Sequence, residues 1–448
     1  MAFSRSQGKV VYEFILDEKI YTWYNNTGIC NVNVCTRRLI VEPTYMTSLK
    51  INKVRHLQDI EIPLSGTERK HLILTGKNGS GKTSVLTALA DFLDRVACND
   101  IPSEEKCRHF VEHWTNRVNS YPETEEGKRE RNDAKNNLLF YKEKLNIWQS
   151  GVTGIFPSMY DVFDKYTNGQ FILAFFSDNR KFDVAVSKNI EKVELPSVYP
   201  IKTDAGKNFA KYLVNLKTKQ AFAQTQGKLE TAQEIQAWFE NFEQILRDIY
   251  EEPSLKLDFD IDTFQFNILI EGREPFDFNT MSMGYSAVFD IICDLMLRME
   301  GKSYGLEGIV LIDEIETHLH VDLQKKIMPI LTGLFPGLQF VLTTHSPFIL
   351  NSLKNAVVYD LEKHLLVENG LTNLPYEGIV EGYFNTDTLS TELKEKFERY
   401  KQLAEKADPS DEDYAEMTEL EMYLDEVPDY LALDFATEYA RLKLEVNS

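Results

Sequence analysis

One stretch, Lys70–Ser84 (KHLILTGKNGSGKTS), constrains the chain more than any other. The apolar run His71–Thr75 reads as a buried strand, and Ser84–Arg95 as a helix entered near Lys82. Between them Gly76-Lys77-Asn78-Gly79-Ser80-Gly81-Lys82-Thr83 satisfies G-x-x-x-x-G-K-[ST] at every position. Gly76, Gly79 and Gly81 open backbone angles closed to other residues. Consecutive N–H groups, those of Asn78 and Ser80 included, can then turn inward around phosphate oxygens. The helix start adds its positive dipole end to the same anion. Lys82 is placed for the β- and γ-phosphates and the Thr83 hydroxyl for Mg²⁺, so the expected ligands are ATP and Mg²⁺.

A length of 448 residues exceeds what one core usually serves, which predicts a large domain and at least one smaller one. No apolar run approaches a membrane span, and the N-terminus lacks a basic region followed by an apolar one; the expected location is the cytoplasm. The five cysteines include no C-x-x-C pair and suit a reducing compartment. The gap between Cys30 and Cys35 leaves a metal pair or two strand cysteines open. Net charge is −21, and residues 376–448 hold 20 Asp+Glu against 7 Lys+Arg, or −13. Such a surface repels phosphate backbones and favours a basic protein partner, with nucleic acid engaged indirectly.

Residues 1–45 contain short β-like pieces at Val10–Leu16, Asn31–Cys35 and Arg37–Val41 and form an N-terminal extension of unassigned role. From Met46, strands Thr47–Val54 and Asp59–Leu64 feed the phosphate loop. Glu104–Gln149 reads as polar helix, a short hairpin rather than a sustained coiled coil. A strand at Gly169–Phe176, helices near Ala205–Gln224 and Leu229–Tyr250, and strands Ser254–Asp260 and Phe264–Ile270 follow. Then come Met281-Ser282-Met283-Gly284 leading into an apolar helix, the strand Gly308–Ile312 ending in Asp313-Glu314, and helix Val321–Leu334. Strand Leu338–Thr343, the turn Thr344-His345-Ser346-Pro347, helix Phe348–Leu353 and the hairpin Val357–Leu361/Leu365–Glu368 complete a β-α-β-α series. The expected division is 1–45, 46–104, 105–150, 151–370 and an acidic helical region 371–448, judged short for a core of its own.

Each late motif is weak alone; their order carries weight. A phosphate loop, a Ser-x-Gly turn opening a helix, an apolar strand ending in Asp-Glu and a Thr-His loop resemble the ABC-type ATPase head. Within that superfamily the chain resembles OLD-like and RecF-like ATPases, across roughly Thr47–Glu368. Ile51-Asn52-Lys53-Val54-Arg55-His56 is similar to their opening I-x-N-F-R strand. Asp313-Glu314-Ile315-Glu316-Thr317-His318-Leu319-His320 is similar to their DE-x-E-x-HLHP segment, with Val321 in place of Pro. Thr343–Pro347 matches T-T-H-S-P, and Met281–Gly284 resembles a degenerate LSGGQ signature. The nearest resemblance is to ATPase subunits of two-gene anti-phage systems, Septu first and PARIS second, which pair such a head with a separate nuclease.

The resemblance implies an α/β ABC-type P-loop head with a helical insertion and an acidic helical C-terminal region. It implies that Asp313 holds Mg²⁺ together with Thr83, that Glu314 deprotonates the attacking water, and that His345 contacts the γ-phosphate or that water. Ser282 and Gly284 would meet the γ-phosphate of a second subunit in a homodimer or higher oligomer, although Ser282 also suits a plain helix N-cap. Arg55 would contact the nucleotide. Gln170 is the nearest candidate for the superfamily's glutamine loop, without support from its neighbours. His318 and His320, two apart, do not face one way on a helix and make a poor metal pair. Cleavage is expected from a partner, HNH-type first and TOPRIM-type second. A RecF- or SMC-like repair ATPase is the alternative. A transporter subunit is disfavoured by the 200 residues between Lys82 and Ser282.

Overall fold

A computed structural model describes residues 44–98, 102, 104–121, 125–149, 151–180, 182, 191–302, 306–372, 378, 391–406, 410–425 and 433–446. It also describes four N-terminal strands, β1 (Ala2–Ser6), β2 (Lys9–Leu16), β3 (Lys19–Tyr24) and β4 (Asn33–Val34), which pair antiparallel in that order. Residues 1–45 make one compact unit and 46–448 another. The strand expected at Arg37–Val41, together with Cys30 and Cys35, lies outside the described residues.

In the larger unit β5 (Ser48–Val54), β6 (Leu57–Pro63) and β8 (Gly151–Ile155) form a small antiparallel sheet with β5 central. Its inward residues Leu49, Ile51 and Ile62 are buried beneath α1 (Lys82–Cys98). Strand β7 (His71–Thr75) starts the main sheet, whose further members are β9 (Phe171–Phe176), β13 (Glu307–Ile312), β14 (Leu338–Thr343), β15 (Ala356–Asp360) and β16 (Leu365–Val367). Their order is β16-β15-β7-β14-β13-β9, parallel except for β16 at one edge. β7, β14 and β15 are buried at every residue, the continuous apolar pattern of a sheet covered on both faces. The C-terminal ends of the parallel strands therefore gather on one edge, where α/β sheets bind ligands.

Between β6 and β9 run the hairpin of α2 (Glu104–Ser120) and α3 (Glu125–Gln149), and α4 (Met159–Thr167). Beyond β9, helices α5 (Phe209–Thr225) and α6 (Leu229–Tyr250) pack an aromatic cluster of Phe209, Trp238, Phe242 and Phe278. A three-stranded antiparallel sheet, β10 (Lys256–Asp260), β11 (Gln265–Leu269) and β12 (Phe276–Asp277), leads to α7 (Met283–Met299). Buried Arg298 staples α7 to the sheet: it pairs with Asp294 and donates to the carbonyls of Leu173, Pro200 and Thr203. Helices α8 (Val321–Leu334) and α9 (Pro347–Asn351) flank β14.

The acidic region does build a core, contrary to expectation. In α10 (Thr391–Ala404), α11 (Asp411–Leu424) and α12 (Leu433–Val446), Phe397, Tyr400, Leu403, Met417, Leu424, Tyr439 and Leu442 form one buried cluster. Buried tyrosine hydroxyls reach carboxylates, Tyr400 donating to Glu421 and Tyr439 to Asp425, both at 2.8 Å. Aromatic size compensates for the short helices. Among the described residues no helix is long and apolar enough to cross a membrane.

Candidate active site

The loop between β7 and α1 adopts the conformation its glycines permit, with φ of +133° at Gly76, +86° at Gly79 and +99° at Gly81. At two of them space matters as well. A Cβ on Gly76 would stand 2.9 Å from Ser80 Oγ, and one on Gly81 would stand 3.0 Å from Leu57 Cδ1. Leu57 follows the β5–β6 turn, so that turn packs directly on the phosphate loop. Arg55 sits on the turn, exposed and at φ +52°. Asn78 and Gly79 form the exposed tip of the loop; Ser80 is buried and its Oγ has no hydrogen-bond partner among the described residues. The Lys82 ammonium donates to the carbonyls of Gly76 at 2.9 Å and Lys77 at 3.2 Å, coiled into the hollow of the loop. Burial lowers its pKa; the nearby carboxylates of Glu314, Glu316, Asp313 and Asp360 oppose that shift.

β13 delivers Asp313 to the same edge, buried. One oxygen of its carboxylate accepts from Thr83 Oγ1 at 3.2 Å and from Thr343 Oγ1 at 2.6 Å. Thr343 in turn accepts the Glu314 N–H at 2.7 Å. β14 lies between β7 and β13, so its last residue spans the two motif strands. Glu314 stands at φ +43°, a left-handed backbone that non-glycine residues rarely occupy. Glu316 accepts the His345 N–H and keeps its second oxygen buried and unpartnered among the described residues. His345 is half-buried with Nε2 unpartnered among the described residues. Burial first, then the Lys82 ammonium, hold its pKa below the ordinary imidazole range, so the ring is neutral at neutral pH. Ser346 Oγ caps α9 and donates to Gln324, which fixes the turn carrying His345.

The signature-like segment sits apart from the loop. Ser282 is the N-cap of α7, yet its side chain makes no capping hydrogen bond and is exposed; Met283 beside it is 66% exposed. Gly284 lies against the segment after β13, where a Cβ would meet the His318 carbonyl at 3.0 Å. α7 packs on β9, α5 and α8. Gln170 lies just before β9, at the opposite end of that strand from Asp313's edge, so it does not reach the site. His318 and His320 are both exposed, and no metal-binding cluster of His, Cys, Asp or Glu occurs among the described residues.

Three site residues had not been singled out: Thr343 for its bridging role, Asp360 and Arg180. Asp360 ends β15 buried beside Gly76 and accepts the N–H groups of Glu362 and Lys363. Arg180 is buried and donates to the backbone carbonyls of Asp313 and Glu314. The T-T-H motif contained the first; Asp360 stands beside Gly76, and Arg180 reaches Asp313 and Glu314, across long sequence separations that no local pattern records.

Phosphate loop, acidic strand end and histidine turn thus gather at one edge of the parallel sheet, while the signature-like turn sits apart. The fold is mixed α/β with a parallel sheet, as the resemblance to ABC-type ATPase heads implied. Residues 207–351 match the family described as "AAA domain, putative AbiEii toxin, Type IV TA system". The chain is similar to the Septu protein PtuA of Bacillus mycoides (strain KBAB4), 32% identical over 151 residues, 32% of this chain and 21% of that protein. It is similar also to a retron Vc95 probable ATPase of Vibrio cholerae serotype O1 biovar El Tor, 37% identical over 92 residues, 19% of this chain and 18% of that protein. A Septu protein PtuA of Bacillus thuringiensis is 31% identical over 99 residues, 20% of this chain and 25% of that protein. The matches span about a fifth of the length of these relatives.

Proposed function

We propose that the chain hydrolyses ATP between two heads and thereby controls a separate nuclease in anti-phage defence. The observation that carries the ATPase reading is the Asp313 carboxylate, which joins Thr83 of the phosphate loop to Thr343 and stands one residue from Glu314. The hydroxyl and carboxylate at 3.2 Å are hard oxygen donors suited to Mg²⁺. Bound magnesium supplies charge neutralisation at the phosphates. The loop N–H groups and Lys82 bind the polyphosphate, Glu314 accepts the proton of the attacking water, and neutral His345 offers Nε2 to the γ-phosphate or that water. Ser282, exposed and uncapped, is the group a second head would use. The defence reading draws on the similarity to Septu and retron proteins, and a cytoplasmic location is proposed with it.

The acidic bundle α10–α12 is the proposed dock for a basic nuclease subunit, HNH-type before TOPRIM-type. Truncation after Pro375 is expected to lose co-purification of that partner while phosphate release persists; retention at full affinity would refute the dock. For the function as a whole, Lys82→Ala should abolish labelled-ATP binding and phage protection together. Undiminished ATP affinity in the variant would remove the loop from the mechanism.

A further inference from the structure

The residues that follow β9 tie the acidic strand end to the signature helix. The Arg180 guanidinium is buried and donates to three backbone carbonyls: Ser177 at 2.8 Å, Asp313, and Glu314 at 2.7 Å. Its side chain therefore grips both peptide units that flank Glu314's Cα on the carbonyl and preceding sides. Thr343 holds the Glu314 N–H from the other direction. Between these two anchors lies the one residue of the pair that carries a left-handed backbone, Glu314 at φ +43°. Such a conformation persists only where the surroundings over-determine it. Two residues beyond Arg180, the Phe182 N–H donates to Ser286 Oγ at 3.0 Å. Ser286 is buried, one turn into α7 from Ser282. Asp290, a further turn along, is among the charges that face Arg180.

We propose that Arg180 is a positioning residue: it holds the Asp313–Glu314 backbone in its left-handed turn and fastens that turn to α7, aiming the Glu314 carboxylate. A buried arginine plugging three carbonyls also satisfies backbone acceptors, which would be a role in folding alone. The two roles differ in what they do to turnover. A planar guanidinium spreads its donors over a wide fixed fork, a reach that the compact ammonium of a lysine does not reproduce. A misplaced base costs rate without costing nucleotide affinity, since the phosphate loop is untouched.

The inference rests on Glu314 as the general base, and the test separates the two. Turnover and ATP affinity are measured in the full chain for wild type, Arg180→Lys, Glu314→Gln and the double variant. The expected result for Arg180→Lys is a kcat lower by about 10–100-fold, as a misplacement near 1 Å gives, with KM for ATP within about twofold. In the double variant the arginine change should add nothing, because the group it positions is already gone. Multiplication of the two effects, or equal losses in affinity and rate, would overturn the proposal. Ser286→Ala, which removes the acceptor of the strap, provides a second variant should Arg180→Lys not fold. It should slow turnover less and likewise vanish in the Glu314→Gln background; an effect that persists there overturns the proposal. Full turnover in Arg180→Lys with a slow Glu314→Gln defeats the positioning role alone. Full turnover in Glu314→Gln defeats the base and this proposal with it.

Discussion

The two ends of the candidate site are built in opposite ways. Around Asp313 the polar groups are linked: Thr83, Thr343, the Glu314 N–H and the Arg180 guanidinium form one connected network of hydrogen bonds. Around Ser282 the reverse holds, with an N-cap hydroxyl that caps nothing and Met283 turned to solvent. A preorganised network suits chemistry performed in place, because its dipoles need not reorganise during reaction. A bare helix start suits a surface completed from outside, where N–H groups and the dipole await an anion. On the proposed two-head mechanism, the difference separates what one chain holds ready from what a second copy would supply.

The largest effect should come from the engaged end. Glu314→Gln keeps shape but cannot take a proton, and a general base contributes about 10²–10⁴-fold. ATP binding should persist while phosphate release falls by that order; turnover within a factor of two of wild type would defeat the assignment. The next effect tests the bare end. Lys82→Ala and Ser282→Arg proteins, each inactive alone, should regain partial hydrolysis when mixed, because one composite site in the heteromer contains neither change. Absence of rescue despite demonstrated subunit exchange would leave Ser282 as a helix start and nothing more.

The smallest effect probes α7, which runs between the two ends. Burial first, then the neighbouring Asp204 and Asp294 carboxylates, push Asp290 up to about 7, while Arg180 opposes the rise. A folded-state pKa above the unfolded value means the native state favours the proton. The associated stability is complete below the unfolded carboxylate pKa and is lost as pH climbs through about 7. Asp290→Asn removes that loss, so its melting temperature should gain on wild type between pH 5 and pH 8, by roughly 2–4 °C. A difference that stays constant over that range would show that the carboxyl is not buried as described.

Much of this was legible in the sequence because its signals are local. The phosphate loop and the Asp313-Glu314 strand end are contiguous, and their backbone requirements show directly in Gly76, Gly79 and Gly81. β8 was missed because Gly151-Val-Thr-Gly-Ile155 carries two glycines in five residues and draws its strand character from pairing with β5. The nearest glutamine proved to lie at the wrong end of β9, since a residue's place before or after a strand decides which sheet edge it serves. Arg180 left no trace at all: two of its three targets are carbonyls 133 and 134 residues away, and every residue type presents a carbonyl. The core of the C-terminal helices was underestimated because the −13 charge of residues 376–448 was weighed above their apolar positions, while Tyr400 and Tyr439 bury large rings and still satisfy their hydroxyls.

The left-handed backbone at Glu314 bears on how this chain would respond to selection for robustness alone. Asparagine or glycine at that position relieves conformational strain and keeps the neighbouring network, so a screen for heat resistance would favour either one. Neither supplies a carboxylate. On the role proposed for Glu314, thermostability and turnover therefore pull residue 314 in opposite directions.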